Sequence, residues 1–166
     1  MTKSGNDHSS DLVRERIMAA ADGYAELGLS ELAWEELDGL THSDRLRPDV
    51  RELTLGLLVR QKRWGEAIEE GRQLCAAGGD RPAVFIHTAF ALHESGRTAE
   101  AQTTLLKGPP SLRNDPLYHY NLACYLAVAG NLKEAEICLR TAFKMDAKLR
   151  LHARNDPDLR EFREVI

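Results

Sequence analysis

The sequence has few cysteines, no long apolar run and no strong net charge, and each shortage excludes a class of protein. Its three cysteines, Cys75, Cys124 and Cys138, are odd in number and form no CxxC pair, which argues against a disulfide framework or a zinc ribbon. No run of about 18 apolar residues is present, so no membrane-spanning helix is expected. The formal net charge of −4 has the wrong sign for a protein that neutralises phosphates. We therefore expect a cytoplasmic protein with reduced thiols and with neither a nucleic-acid nor a membrane partner.

Catalytic motifs are also missing. The sequence contains no GxxxxGK[ST], GxGxxG or GxSxG pattern, and Cys124 has no evident base partner. A metal site built from histidines would require His87, His93 and His119 to meet across stacked helices, since His87 and His93 do not share a helix face. We predict no catalytic residue, no cofactor and no metal. An enzyme with an unrecognised site on a helical scaffold stays open as an alternative of a different class.

The remaining composition is that of an ordinary folded chain. Of 166 residues, 43% are apolar and 29% are charged. A chain of this length buries enough surface to fold without a metal or a disulfide. The polar opening stretch, residues 1–10, lacks the apolar core of a signal peptide and is predicted to be a disordered tail.

A period of 34 residues runs through the chain. Three sets of residues keep this spacing: Ala67, Ala101 and Ala135; Gly96 and Gly130; and Pro48, Pro82 and Pro116. Ala33 continues the alanine series upstream. Self-similarity at a fixed period of this length is typical of helical repeat architectures. The period predicts four units, which are 14–47, 48–81, 82–115 and 116–149.

Each unit has the pattern of two helices joined by a turn. In the last unit, apolar residues recur at steps of three and four, as on one face of a helix. Asp115-Pro116 is a helix-start signal, and Gly130 between the two helical patterns can adopt the positive φ that ends a helix. No alternating β-branched run indicates a strand. The small alanines are expected where two helices cross closely.

The period, the alanines and the glycine before the second helix resemble the tetratricopeptide repeat (TPR). The resemblance covers about residues 14–149 within a repeat region at 11–149, and it implies an all-α, right-handed solenoid of four helix–turn–helix units. Two departures are Lys62, in place of the turn glycine, and Gly71, in place of a large residue. Residues 150–166 are predicted to form a C-terminal capping helix, because Leu159, Phe162 and Ile166 recur at helical spacing after a helix-start signal.

In TPR proteins the first helices of the units line a concave groove that binds a peptide or another protein. The register of the resemblance places ten residues there: Met18, Asp22, Glu52, Ile86, Phe90, His93, Leu117, Tyr120, Asn121 and Cys124. Asp22 and Glu52 would repel a carboxylate, which argues against the clamp that some TPR domains use to bind chaperone C-termini. The apolar part around Phe90 and Tyr120 is compatible both with a pocket for a partner and with packing between neighbouring helices.

The resemblance implies a non-enzymatic interaction module or scaffold. Its partner is expected to be a peptide or protein with an apolar or aromatic anchor residue. Asp22 and Glu52, at the other end of the groove, favour a partner with basic residues beside that anchor. A small TPR-type export chaperone, as in type III secretion, is the alternative among binding proteins. The sequence does not fix the partner, the pathway or the oligomeric state, and a homo-oligomer stays open.

Overall fold

The structure is a computed structural model that describes residues 4–164 and the side chains of residues 9–164. Over residues 4–164 the chain is helical and contains no strand, as the periodicity predicts. It divides into two compact units, Met1–Arg63 and Trp64–Ile166. None of the helices in the described range combines the length and the hydropathy needed to cross a membrane.

The first unit contains α1 (Ser4–Glu26), α2 (Ser30–Asp38), α3 (His42–Arg45) and α4 (Pro48–Arg60). Its core includes Ala21 and Ala33, both fully buried where α1 packs on α2. Trp34 on α2 donates a hydrogen bond from Nε1 to Gln61 Oε1 at 2.9 Å, which links α2 to the turn after α4. Small side chains at the contact let the two backbones approach closely, while the larger residues fill the space around them.

The N-terminal stretch differs from its prediction. α1 begins at Ser4, so that residues 4–10, predicted as part of a disordered tail, are helical. Residues 1–3 lie outside the described part of the chain. The polar composition of this stretch is consistent with a helix whose surface is solvated, since Ser9 and Ser10 are both exposed.

The second unit contains α5 (Trp64–Ala77), α6 (Pro82–Glu94), α7 (Thr98–Leu106), α8 (Pro116–Val128), α9 (Leu132–Met145) and α10 (Leu149–Ala153). Two 3-10 segments, Pro110–Asn114 and Pro157–Phe162, follow α7 and α10 respectively. Each helix from α5 to α9 contacts the next along the chain. The alanines of the period, Ala67, Ala101 and Ala135, are fully buried.

The same turn follows α1, α4, α6 and α8. Its central residue has a positive φ, which is 76° at Gly28, 57° at Lys62, 77° at Gly96 and 81° at Gly130. The next amide donates to a carbonyl five residues back in each turn, for example Arg63 to Leu58 at 2.9 Å and Asn131 to Leu126 at 2.9 Å. Lys62 therefore adopts the left-handed conformation that the glycines adopt elsewhere, and the turn occurs at all four positions of the period.

The C-terminal segment is not the single capping helix that was predicted. It consists of the short α10 and the 3-10 segment Pro157–Phe162, because the backbone at Leu159 is not helical (φ −103°, ψ 19°). Leu159 and Phe162 are nevertheless buried, as the predicted apolar spacing requires. Ile166 lies outside the described residues.

Candidate functional site

The second unit contains a cavity of about 540 Å³ that is open to solvent, and residues of α6, α8, α10 and the segment after α10 line it. Pro82 and Pro116 stand at the first position of α6 and α8, and the Asp115 side chain accepts a hydrogen bond from the Leu117 amide at 2.8 Å. These signals fix where both helices begin, and they thereby set which side chains face the cavity. The volume lies within the range of about 300–1,000 Å³ that is usual for ligand pockets.

Seven of the ten residues predicted for a groove line this cavity: Ile86, Phe90, His93, Leu117, Tyr120, Asn121 and Cys124. The other three belong to the first unit. Met18 packs against the core of that unit, Asp22 is exposed and Glu52 is half-buried. The structure thus gathers the predicted residues of the second unit around one space, and the candidate site is confined to that unit.

The apolar wall of the cavity is partly packing and partly accessible surface. Ile86 and Tyr120 are buried, at 6% and 8% exposure. Phe90 is half-buried and packs edge-on against Trp64, with ring centroids 5.9 Å apart. Leu117 is 42% exposed at the cavity. The accessible apolar surface therefore lies at Phe90 and Leu117, whereas Ile86 and Tyr120 are buried.

Two aspartates after α10 form the polar wall, and the prediction did not include them. The hydroxyl of Tyr120 donates to Asp156 Oδ2 at 2.7 Å, and His93 Nε2 lies 2.7 Å from Asp158 Oδ2. The other ring nitrogen of His93 is 3.0 Å from the Thr98 hydroxyl, which fixes the orientation of the ring. Burial and the hydrogen bond to Asp156 raise the pKa of the Tyr120 hydroxyl, so the phenol stays protonated.

The thiol of Cys124 donates to the same oxygen, Asp156 Oδ2, at 3.6 Å. Burial, followed by the negative charges of Asp156 and Asp158, raises the pKa of this thiol far above its ordinary value. Burial also raises the pKa of the thiols of Cys75 and Cys138. A nucleophilic cysteine needs the opposite shift, since the thiolate is the reactive form. The environment of Cys124 suits a hydrogen-bond donor.

In the described part of the chain, three side chains that could bind a metal ion lie close together: Cys124, Asp156 and Asp158, whose potential ligand atoms are within 4.8 Å of one another. Both aspartates are already engaged. Asp156 Oδ1 accepts from the Asp158 amide at 3.0 Å and its other oxygen accepts from Tyr120, while Asp158 Oδ2 lies 2.7 Å from His93 Nε2. The arrangement is better explained as a hydrogen-bond network that attaches the C-terminal segment to α8.

The three histidines considered as a metal site do not form one. His93 pairs with Asp158, and His119 Nε2 lies 2.9 Å from the backbone carbonyl of Arg113, to which it donates. His87 lines the cavity with His93, whereas His119 does not. His93 therefore orients a carboxylate of the polar wall.

The hydroxyl of Tyr125 is a buried polar atom at the cavity that is left unsatisfied within the described residues. Tyr125 is 1% exposed, its ring packs on His93 at a centroid distance of 4.9 Å, and its hydroxyl has no hydrogen-bond partner within residues 4–164. Burial raises the pKa of this hydroxyl, and the charges of Cys124, Glu94 and Asp158 add to the shift. Leaving such a group unpaired costs about 1–3 kcal/mol.

The charges around the cavity are of one sign. Glu94, Asp156 and Asp158 line it, and no lysine or arginine of the described residues does so. The acidic character of this cavity therefore comes from the end of α6 and from the C-terminal segment, whose acids were not among the predicted site residues.

Comparison with known proteins adds no assignment, because no protein-family model matches the chain and no curated protein matches it.

Proposed function

We propose that this chain is a non-enzymatic protein-interaction module of the TPR type, and that a peptide segment of its partner binds in the cavity of the second unit. The observation that carries the proposal is the accessible apolar surface at Phe90 and Leu117, set in a cavity of about 540 Å³. The four equivalent turns at Gly28, Lys62, Gly96 and Gly130 support the repeat assignment.

The chemistry of the cavity favours binding over catalysis. Tyr120 and Cys124 are held protonated as donors to Asp156, so that neither is prepared as a nucleophile. Phe90 and Leu117 offer the kind of apolar surface that takes an anchor side chain, and a buried anchor carries much of the energy of an interface. The carboxylates beside them add specificity and faster association for a partner with a basic segment.

A photo-crosslinking residue tests this proposal in a lysate of the source organism. Placed at Leu117, at the mouth of the cavity, it should crosslink to one partner, and mass spectrometry should identify the crosslinked peptide. The matched control is Ile137 on α9, which is 66% exposed and does not line the cavity. A partner that crosslinks equally from both positions, or from Ile137 alone, would place the interface elsewhere.

A further inference from the structure

The cavity of the second unit has an apolar side and an acidic side. Phe90 and Leu117 supply the apolar surface, and Asp156 and Asp158, which follow α10, line the same cavity. Glu94, at the end of α6, adds a third carboxylate. A ligand that satisfies both sides needs an apolar part and a cationic part.

Among the described residues that line the cavity, the carboxylates have no lysine or arginine beside them. Their partners among the described side chains are the Tyr120 hydroxyl, the Cys124 thiol and the His93 ring. No lysine or arginine in residues 4–164 lines the cavity, so no permanent positive charge offsets them there. Low-dielectric walls focus the field of such a cluster and raise its attraction for an external cation.

The hydroxyl of Tyr125 is a second, independent indication of a ligand. It is buried at the cavity without a hydrogen-bond partner in the described part of the chain. The charges of Glu94 and Asp158 act on it, which places it among the acids. Its oxygen can accept a hydrogen bond, so a cation with several N–H donors that displaces the side chains covering this hydroxyl would pair with it and with the carboxylates together.

We propose that a lysine or arginine side chain of the partner peptide enters this cavity, with its aliphatic stem along Phe90 and Leu117 and its charged head at Asp156 and Asp158. Both side chains combine an apolar stem with a head that carries several donors. This inference rests on the proposed function, because it names the residue type through which the peptide is recognised. Tyr125 accepts one of the donors of that head.

A pair of small probes tests the charge requirement on the full chain. Nα-acetyl-lysine methylamide carries the charged head, and Nα-acetyl-norleucine methylamide has an apolar side chain without it. In an NMR titration of backbone amides, the lysine probe should shift Tyr120, Tyr125 and Asp158 and should bind at least about tenfold more tightly than the norleucine probe, as expected for a hydrogen bond to a charged group. Equal affinities, or no saturable shift with lysine, would overturn the proposal.

Three variants locate the head of the probe. Asp158→Asn keeps an oxygen that can accept from His93, and Asp156→Asn keeps one of the two acceptor oxygens that pair with Tyr120 and with the Asp158 amide. Each variant should weaken the lysine probe about tenfold or more while leaving the norleucine probe unchanged. Tyr125→Phe removes only the unpartnered hydroxyl, so it should stay folded and weaken the lysine probe selectively. Glu161→Gln, on the same segment but exposed and outside the cavity, is the charge control. An equal loss in Glu161→Gln would mean diffuse attraction and would contradict the site.

A random peptide library selected on the chain separates this inference from the proposed function. Enrichment of lysine or arginine that is lost in Asp158→Asn supports both. Peptides that require Phe90 but show no basic preference keep the proposed function and overturn the inference. Binding of the lysine probe without enrichment of any peptide keeps the cation site and overturns the proposed function.

Discussion

Replacing Gly71 with alanine should destabilise the second unit, although alanine is the better helix former. Gly71 lies in α5 and is buried against Thr88 of α6. A Cβ at position 71 would overlap the Thr88 hydroxyl and would lie 2.9 Å from its Cβ and 3.0 Å from its Cγ2. Thr88 is 1% exposed and its hydroxyl donates to the Val84 carbonyl at 2.6 Å, so it has no space to turn away. The two helices must therefore separate.

The size of this effect follows from two opposing contributions. Overpacking a tight contact lowers the free energy of unfolding by about 1–3 kcal/mol, whereas the higher helix propensity of alanine raises it by about 1 kcal/mol relative to glycine. Because the overlap is with a β-branched side chain next to the backbone, we expect the upper part of the range and a net loss of about 2 kcal/mol. For a chain of this size, that corresponds to a fall in Tm of about 4–8 °C.

Thermal and urea denaturation followed by circular dichroism measure this loss. The matched control is Gly65→Ala, on the same helix, where no atom lies within 4 Å of the added Cβ. That variant should be as stable as the parent or slightly more stable. If Gly71→Ala matches Gly65→Ala, the close approach of α5 and α6 at Thr88 is wrong.

Three further predictions concern packing, the repeated turn and alkaline pH. Ala101→Leu should lower the free energy of unfolding by about 1–3 kcal/mol through overpacking, whereas the exposed Ala99→Leu should be nearly neutral in the same urea titration. Lys62→Gly should raise the free energy of unfolding by about 0.5–1 kcal/mol, because Lys62 is exposed and its backbone is strained at positive φ. An unchanged or lower free energy of unfolding would refute this strain. The contribution of Cys124 to stability should be constant below pH 9, the ordinary pKa of a thiol, and should fall above it, and that of Tyr125 should fall above pH 10, because the pKa of each group is raised only in the folded state. Each such group contributes a slope of up to about 1.4 kcal/mol per pH unit, and a pH titration of the urea midpoint that stays flat to pH 11 would contradict the burial of these groups.

The helices and turns could be predicted because their signals are local. A positive φ after α1, α6 and α8 is encoded by glycine, and proline marks the first residue of α4, α6 and α8. Lys62 is the informative exception. It adopts the same turn without glycine, and the hydrogen bond from the Arg63 amide to the Leu58 carbonyl closes the turn there as the equivalent bond does at the glycines.

Two contacts between distant residues could not be predicted, namely the close approach of α5 and α6 at Gly71 and the bond between Asp156 and Tyr120. Gly71 was recognised as a departure from the repeat, but its reason is Thr88 on the next helix. Asp156 was recognised as a helix-start signal, and its side chain does accept from the Asp158 amide. Its bond to Tyr120, 36 residues away, depends on how α8 and the C-terminal segment pack. No pattern in the sequence indicates how these two elements pack, so Asp156 and Asp158 were not predicted to line the cavity.

The affinity of the crosslinked partner peptide for two phenylalanine variants tests the central claim most directly. Phe90 and Phe85 are half-buried residues of α6, but only Phe90 lines the cavity. Once both variants are shown to be folded, Phe90→Ala should weaken binding about tenfold or more in isothermal titration calorimetry, because truncating an anchor costs about 2 kcal/mol. Phe85→Ala should bind like the parent. A folded Phe90→Ala variant with the parent's affinity would contradict a peptide site in this cavity.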